Sequence, residues 1–145
     1  DAPDAITSNA GWDTVTHQSF LKAIIADFKN AGIRTSLFVE ADAKYIEGAK
    51  AIQADRIELY TESYAQQFEA NKEHAVKPFI DSAIMAHDLG LGVNAGHDLT
   101  LDNLGYFAAQ VPFLDEVSIG HALISDALYL GLERTIEKYK NCLKK

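Results

Sequence analysis

Two strand-like runs of this sequence end on the same pair of residues, a glycine followed by a histidine. The first run ends with Gly96 and His97, and the second ends with Gly120 and His121. In alternating β/α proteins, ligands bind at the carboxyl ends of strands, because the next helix directs its positive end there. Imidazole exchanges protons near neutral pH, and glycine lets the backbone approach a phosphate closely. We therefore expect one site that binds an anion and moves protons. The alternative is that the glycines only serve turns and the histidines cap them.

A carboxylate inside a short strand is the next candidate for chemistry. Glu58 lies between Ile57 and Leu59, so strand alternation turns it away from these apolar neighbours. If they face helices, Glu58 faces the opposite side of the sheet, where a carboxylate stabilises positive charge or moves a proton. The alternative is an ion pair with an Arg or Lys of the sheet. Asn94 has a similar position, suited to orienting a substrate or to satisfying buried backbone groups.

Polar residues beside these candidates have two interpretations each. Tyr60, Glu62 and Tyr64 follow the Glu58 strand and either line the same mouth or form a lid surface. The segment 7–11 has the polar, glycine-containing composition of a ligand-contacting loop or of an ordinary turn. The remaining histidines fall on helical patterns and are expected to be solvated: His17, His74 and His87.

Composition limits the class of protein. The chain has 145 residues, 48% of them hydrophobic and 23% charged, as in one globular domain. A net charge of -8 argues against binding to nucleic acid, and no apolar run approaches the ~20 residues that span a bilayer. The single Cys142 excludes an internal disulfide and a zinc site with several thiolates. We expect a cytoplasmic protein without membrane or nucleic-acid partners.

Hydrophobic periodicity predicts helices alternating with strands. The predicted elements, in order, are a helix from Thr16 to a stop at Gly32, a strand 33–39, a helix capped by Asp42, a strand 56–60, a polar loop 61–67, a helix 68–89 kinked near Pro78, a strand around Val93, a helix capped by Thr100, a strand around Val117 and a helix 123–143.

Strict alternation at this spacing predicts an α/β fold with a parallel sheet and right-handed crossovers. Four such units are half of a TIM (β/α)₈ barrel, in which the loops after strands seven and eight often bind phosphate. The last two predicted strands are those that end in Gly-His, which favours a C-terminal half-barrel, strands five to eight, over a complete flavodoxin-like domain. We expect residues 1–145 to form this single segment, and the absence of an initiator Met agrees with a fragment.

Four stretches of the chain together resemble pyridoxine 5'-phosphate synthase of the deoxyxylulose-dependent vitamin B6 pathway. They are 32–39, 57–59 with 64–65 downstream, 89–100 and 118–124. The most specific part is Asn-Ala-Gly-His at 94–97 combined with Ile-Gly-His at 119–121. The resemblance covers the C-terminal part of that TIM-barrel family. It implies condensation of 1-deoxy-D-xylulose 5-phosphate with 3-amino-1-hydroxyacetone 1-phosphate, with release of phosphate and water and with no metal or organic cofactor.

The resemblance also implies roles for single residues. His97 matches the family's proton-donating histidine, and Glu58 matches its transition-state-stabilising glutamate. Thr7 matches a threonine that contacts the deoxyxylulose phosphate. Gly120 and His121 match the pair that binds the phosphate of the amino ketone, in agreement with the anion site inferred from the strand ends.

The chain departs from the family's pattern near the site. Asp98 stands where the family commonly has glycine. If the backbone N–H of this residue makes the family's substrate contact, aspartate still provides it, but the Asp98 carboxylate repels a nearby phosphate. The run 60–62 reads Tyr-Thr-Glu where His-Thr-Gly is usual. The family's upstream histidine, glutamate and phosphate-binding arginines are not in this sequence. Its only arginines match no site position: Arg34, Arg56 and Arg134.

Two other hypotheses compete with a fragment of this synthase. One is a non-catalytic half-barrel module with a residual phosphate site, which self-associates through open sheet edges and exposed apolar surface. The other is a different phosphate-handling TIM-barrel enzyme, an aldolase or an isomerase. No Lys falls inside a predicted strand to form a Schiff base, which argues against such an aldolase.

Overall fold

The computed structural model describes residues 8–144, so Thr7, one of the candidate substrate contacts, lies outside the described residues. Helices and strands alternate along these residues up to two final helices. The elements are α1 (Gln18–Asn30), β1 (Ser36–Val39), α2 (Ala43–Ala51), β2 (Arg56–Tyr60), α3 (Glu62–Asp88), β3 (Gly92–Gly96), α4 (Leu104–Gln110), β4 (Leu114–Ser118), α5 (His121–Leu130) and α6 (Leu132–Cys142).

The strands form one sheet in the order β1-β2-β3-β4, and each neighbouring pair is parallel. The predicted α/β class and parallel sheet are therefore confirmed. Glu58 lies in register with Phe38 on one side and Asn94 on the other. All strand carboxyl ends meet at one edge, which places the candidate residues of β2, β3 and β4 near one another.

The two faces of the sheet differ in polarity, as strand alternation requires. One face packs against the helices and supplies buried side chains to the core: Leu37, Val39, Ile57, Leu59, Val93 and Ala95. Tyr64 of α3 is fully buried beneath this face and packs edge-on against Phe79 and Phe107. The other face carries Glu58 and Asn94, so the sequence correctly predicted the direction of Glu58.

An ion pair across the sheet shows that the polar face is concave. Arg34, just before β1, donates hydrogen bonds of 2.9 and 3.1 Å to the two carboxylate oxygens of Glu116 in β4. β1 and β4 are the outer strands, and three strand spacings amount to about 14 Å in a flat sheet. Two side chains standing perpendicular to a flat sheet would not meet over that distance, so the sheet curves towards its polar face.

The long helix α3 differs from its sequence prediction at both its start and its kink. The segment predicted as a polar loop is helical from Glu62, because a carboxylate suits the first turn of a helix and Tyr64 is buried in the core. The kink lies at Asn71, not at Pro78. The Asn71 side chain accepts a hydrogen bond from the backbone N–H of His74, as an N-cap does, and so starts a new helical segment there.

The two C-terminal predictions of helix boundaries were also wrong. α4 begins at Leu104 with Asn103 as its N-cap residue. The Thr100 hydroxyl accepts a hydrogen bond from the backbone N–H of Asp102, as an N-cap does, but it caps the turn that precedes α4. The helix predicted over 123–143 is two helices separated by Gly131, whose φ of 81° is left-handed. Among the described residues, no helix is long and apolar enough to cross a membrane.

Candidate active site

The Glu58 carboxylate lies at the carboxyl end of β3, in space that only a glycine leaves open. A Cβ atom at Gly96 would lie 2.3 Å from Glu58 Oε1 and 2.9 Å from Ser118 Cβ. Any side chain at position 96 would therefore displace the carboxylate. The sequence predicted that Gly96 serves a tight turn or lets the backbone approach a phosphate. The structure shows in addition that Gly96 leaves room for the Glu58 side chain.

The charge of Glu58 is balanced by polar groups and not by a cation of the sheet. Burial raises the pKa of Glu58, and the nearby charge of Glu116 raises it further, while a hydrogen bond with Ser118 and the charge of His97 lower it. The alternative of an ion pair is not seen within residues 8–144. Arg56, in the same strand, instead pairs with Asp115 at 2.7 Å.

His97 follows β3 in a left-handed turn. Its φ is 77° and that of Asp98 is 48°, a region that favours glycine and tolerates aspartate better than most residues. The His97 ring meets the Tyr60 ring edge-on at 5.0 Å between centroids and lies 6.2 Å from Phe38. Its Nδ1 atom is 2.8 Å from Oδ2 of Asp98. The ring is thus held by two aromatic neighbours and one carboxylate.

Thr61 ties the end of β2 to the turn that carries His97. Its side chain is fully buried, and its hydroxyl donates to the carbonyl oxygen of Gly96 at 2.8 Å and also contacts that of His97. Its backbone N–H donates to the same Gly96 carbonyl at 3.1 Å. Sequence reasoning missed Thr61 by placing it in a loop. Its position directly after a buried strand is the signal that marks it.

Tyr60, at the end of β2, and Glu62 lie at the site, whereas Tyr64 lies in the core. The Tyr60 hydroxyl donates to Glu62 at 2.8 Å, and burial together with this carboxylate raises the pKa of Tyr60 to about 12. Tyr60 is therefore neutral at physiological pH and packs beside His97. Tyr64 donates from its buried hydroxyl to the carbonyl oxygen of Asn103, so it belongs to the core and to neither the mouth nor a lid.

Two cavities meet at Glu58 and His97. The larger, of about 990 Å³, extends from these residues along the end of β4 to Gly120 and His121. The second, of about 690 Å³, lies over the end of β1 and is also lined by Glu58 and His97. The structure thus brings the strand-end candidates onto one continuous mouth.

The loop before α1 closes one side of the second cavity. Residues 8–11 line it. A Cβ atom at Gly11 would lie 2.6 Å from backbone atoms of Val39 and Glu40. Only glycine therefore lets the loop lie directly against the end of β1.

Positive charge is scarce at this mouth. Among the described residues, no Lys or Arg lines either cavity. The groups that supply or accept positive charge here are the histidines and the N-terminus of α5, which begins at His121 with Gly120 as its N-cap residue. The described residues also contain no cluster of three or more His, Cys, Asp or Glu suited to a metal ion.

Comparison with known proteins identifies the family. A family model described as Pyridoxal phosphate biosynthesis protein PdxJ matches residues 1–145. The chain belongs to the PdxJ family. It is 63% identical over 145 residues to the pyridoxine 5'-phosphate synthase of Cytophaga hutchinsonii, covering 100% of this chain and 61% of that protein. It is 62% identical over 144 residues to the synthase of Christiangramia forsetii, covering 99% of this chain and 61% of that protein.

The resemblance stated from the sequence is thereby confirmed, and the hypothesis of a different aldolase or isomerase family is set aside. A third relative, the pyridoxine 5'-phosphate synthase of Phocaeicola vulgatus, is 60% identical over 144 residues, covering 99% of this chain and 60% of its own length. The chain spans about three fifths of the length of these relatives.

Proposed function

We propose that this chain carries part of the active site of a pyridoxine 5'-phosphate synthase. The reaction condenses 1-deoxy-D-xylulose 5-phosphate with 3-amino-1-hydroxyacetone 1-phosphate and releases phosphate and water, without a cofactor. The observation that carries the proposal is that Glu58 and His97 share the wall between two cavities in a member of the PdxJ family. Two cavities that meet at an acid and a carboxylate suit a reaction that joins two small substrates.

In this proposal, His97 is the general acid. As imidazolium it gives a proton to a substrate oxygen while the carbon–oxygen bond breaks, so water leaves and a neutral ring remains. Glu58 stabilises positive charge that develops on the substrate. Its partial burial strengthens that interaction, because few water molecules screen it.

The phosphate groups of the substrates have separate positions in this proposal. Gly120 and His121 bind the phosphate of the amino ketone, supported by the start of α5 and by the open space around Gly120. The backbone N–H of Asp98 contacts substrate on the other side of His97. Thr7 contacts the deoxyxylulose phosphate.

We further propose that β1 to β4 are strands five to eight of a TIM barrel, with residues 1–145 as one segment of it. The concave polar face supports this arrangement, because side chains on that face of a barrel strand point to the barrel axis. The apolar helix α5 also supports it. None of its residues is buried, and Leu128 and Tyr129 are 81% and 89% exposed. Exposed apolar surface of this kind is typical of an interface.

The scarcity of positively charged side chains at the mouth leads to a prediction about residues 1–145 when they are on their own. Two phosphate groups at one mouth require more positive charge than imidazoles and one helix terminus supply. We therefore propose that the remaining segment of the family's barrel supplies it, and that residues 1–145 alone are inactive and form homo-oligomers. A cytoplasmic location is part of the same proposal, since the matched bacterial relatives are biosynthetic enzymes by name.

The test compares residues 1–145 alone with a joined protein, in which they are attached to the remaining segment of the Cytophaga hutchinsonii relative. Product formation from the two substrates is measured, with the relative itself as the positive control and light scattering for assembly. We expect product from the joined protein and none from the separate chain. A monodisperse joined protein with native circular dichroism but no product would overturn the proposal and favour the non-catalytic phosphate-binding module.

The phosphate site has its own test. Crystals soaked in sulfate are expected to show the anion at the backbone N–H groups of Gly120 and His121. Ordered water alone at that position, at high sulfate concentration, would contradict the assignment.

A further inference from the structure

A contact within the turn after β3 has a consequence for the proposed acid. Nδ1 of His97 and Oδ2 of Asp98 are 2.8 Å apart, and the two side chains are 23% and 43% exposed. An ionised carboxylate only accepts hydrogen bonds, so Nδ1 must carry a hydrogen. In the neutral ring, this leaves Nε2 as the nitrogen without one.

The backbone makes this contact between sequence neighbours. Along a strand, adjacent side chains point to opposite faces, so His97 and Asp98 would not meet. Here both residues have left-handed φ values, 77° and 48°, which turn the chain directly after β3. Thr61 holds this turn by its hydrogen bond to the Gly96 carbonyl oxygen.

The rest of the ring is restrained by its aromatic neighbours. Tyr60 meets it edge-on, Phe38 lies beside it, and Tyr60 is itself fixed by its hydrogen bond to Glu62. His97 lines both cavities. With Nδ1 occupied by Asp98, the nitrogen that a substrate can reach from either cavity is Nε2.

We propose that the Asp98 side chain is a positioning residue, which holds His97 as the Nδ1–H tautomer and directs proton transfer through Nε2. The inference rests on the proposed function. In the acid step, the Nε2–H bond of the imidazolium breaks and the proton goes to the departing substrate oxygen. Nδ1 keeps its hydrogen, which stays hydrogen-bonded to the Asp98 carboxylate. A glycine at position 98 would permit the same turn but supply no acceptor. The Asp98 carboxylate thus controls the tautomer of the proposed acid.

The first test reads the tautomer directly. Nitrogen-15 NMR of labelled histidine in the 145-residue chain, at a pH where the ring is neutral, should show mainly the Nδ1–H form of His97. Asp98→Gly adopts the left-handed backbone freely, and it should shift the tautomer ratio at least about fivefold towards Nε2–H. Asp98→Asn keeps an acceptor oxygen and should restore part of the Nδ1–H population. Asp102→Asn, an exposed neighbour, is the matched control and should change nothing.

The second test uses kinetics of the joined protein. Asp98→Gly should lower kcat by about 10-fold or more while both KM values stay within about twofold, because the ring nitrogen is misdirected but substrate binding is not. Asp98→Asn should recover part of kcat. An unchanged tautomer ratio in Asp98→Gly, or a raised KM with normal kcat, overturns the inference. If the unsubstituted joined protein makes no product, the proposed function fails, and the NMR measurement still decides the role of Asp98.

Discussion

Charged side chains have different surroundings at the two ends of the strands. Nearer the amino ends, side chains of opposite charge pair with one another: Lys29 of α1 with Asp55, Arg34 with Glu116 of β4, and Arg56 with Asp115. At the carboxyl ends, Glu58 and His97 face two cavities that no described Lys or Arg lines. Charges are therefore neutralised within the fold at one end, whereas at the other end they face open cavities.

The pKa values of two carboxyl groups, Asp55 and Glu58, are shifted in opposite directions at the two ends. A backbone hydrogen bond from Thr35, aided by Lys29, lowers the pKa of Asp55 to about 2. Burial raises the pKa of Glu58, and the hydrogen bond with Ser118 and the charge of His97 offset this only in part. Groups that are desolvated and directed into a cavity are typical of functional sites. The comparison thus predicts that substitutions at the two ends separate activity from stability.

The largest expected effect is at His97. In the joined protein, His97→Ala should lower kcat by about 10²–10⁴-fold, because a general acid contributes that much to rate. The matched control is His87→Ala, since His87 stacks on Phe113 away from both cavities. Steady-state kinetics of the two variants provide the measurement. A near-normal kcat for His97→Ala would falsify its assignment as the acid.

Glu58→Gln should change activity and stability in opposite directions. We expect kcat of the joined protein to fall by about 10²–10³-fold through loss of the charge. The Tm of the 145-residue chain should rise at pH 7, because the raised pKa means that the ionised carboxylate is less favourable in the fold than in the unfolded chain. The gain should shrink as the pH falls through the raised pKa of Glu58 and should be lost below the ordinary Glu value of 4.5, where both states are protonated. A lower Tm at pH 7 would contradict this reasoning.

Thr61 lies at the carboxyl end of the strands, but its buried hydroxyl has a structural role in holding the turn that carries His97. It therefore tests whether a substitution beside the site also changes stability. Thr61→Val removes the hydroxyl that binds Gly96 and should lower the free energy of unfolding by about 1–3 kcal/mol. Thr61→Ser keeps the hydroxyl and is the control. Chemical denaturation measures both variants. Equal stabilities for valine and serine would show that the hydroxyl does not hold the turn.

The smallest effect is expected at Asp55, at the neutralised end. Its lowered pKa stabilises the fold at pH values above the unfolded value of 3.8, and this stabilisation disappears as the pH falls towards 2. The side chain is 31% exposed, so solvent screening limits the contribution to about 1–2 kcal/mol. The difference in unfolding free energy between the natural chain and Asp55→Asn should be constant above about pH 5 and fall below pH 4. A difference that stays constant down to pH 2 would exclude this linkage.

Local patterns in the sequence predicted the frame of the site. Period-two alternation gave the direction of Glu58, and a strand followed by Gly-His placed His97 and His121 at the ligand edge of the sheet. Such features depend on a few neighbouring residues, so the sequence displays them. Helix boundaries were less accessible, because the break at Gly131 and the kink at Asn71 interrupt otherwise continuous helical patterns.

The sequence by itself determined the alternating α/β order, the parallel sheet and the residues at the strand ends. Only the tertiary structure decided which of them touch. The fit of Glu58 into the space beside Gly96, and the hydrogen bond from Thr61 to the same residue, depend on the register between β2 and β3. The Arg34–Glu116 pair, 82 residues apart, depends on the curvature of the whole sheet. Register and curvature arise from the packing of distant segments, which no local pattern of residues records.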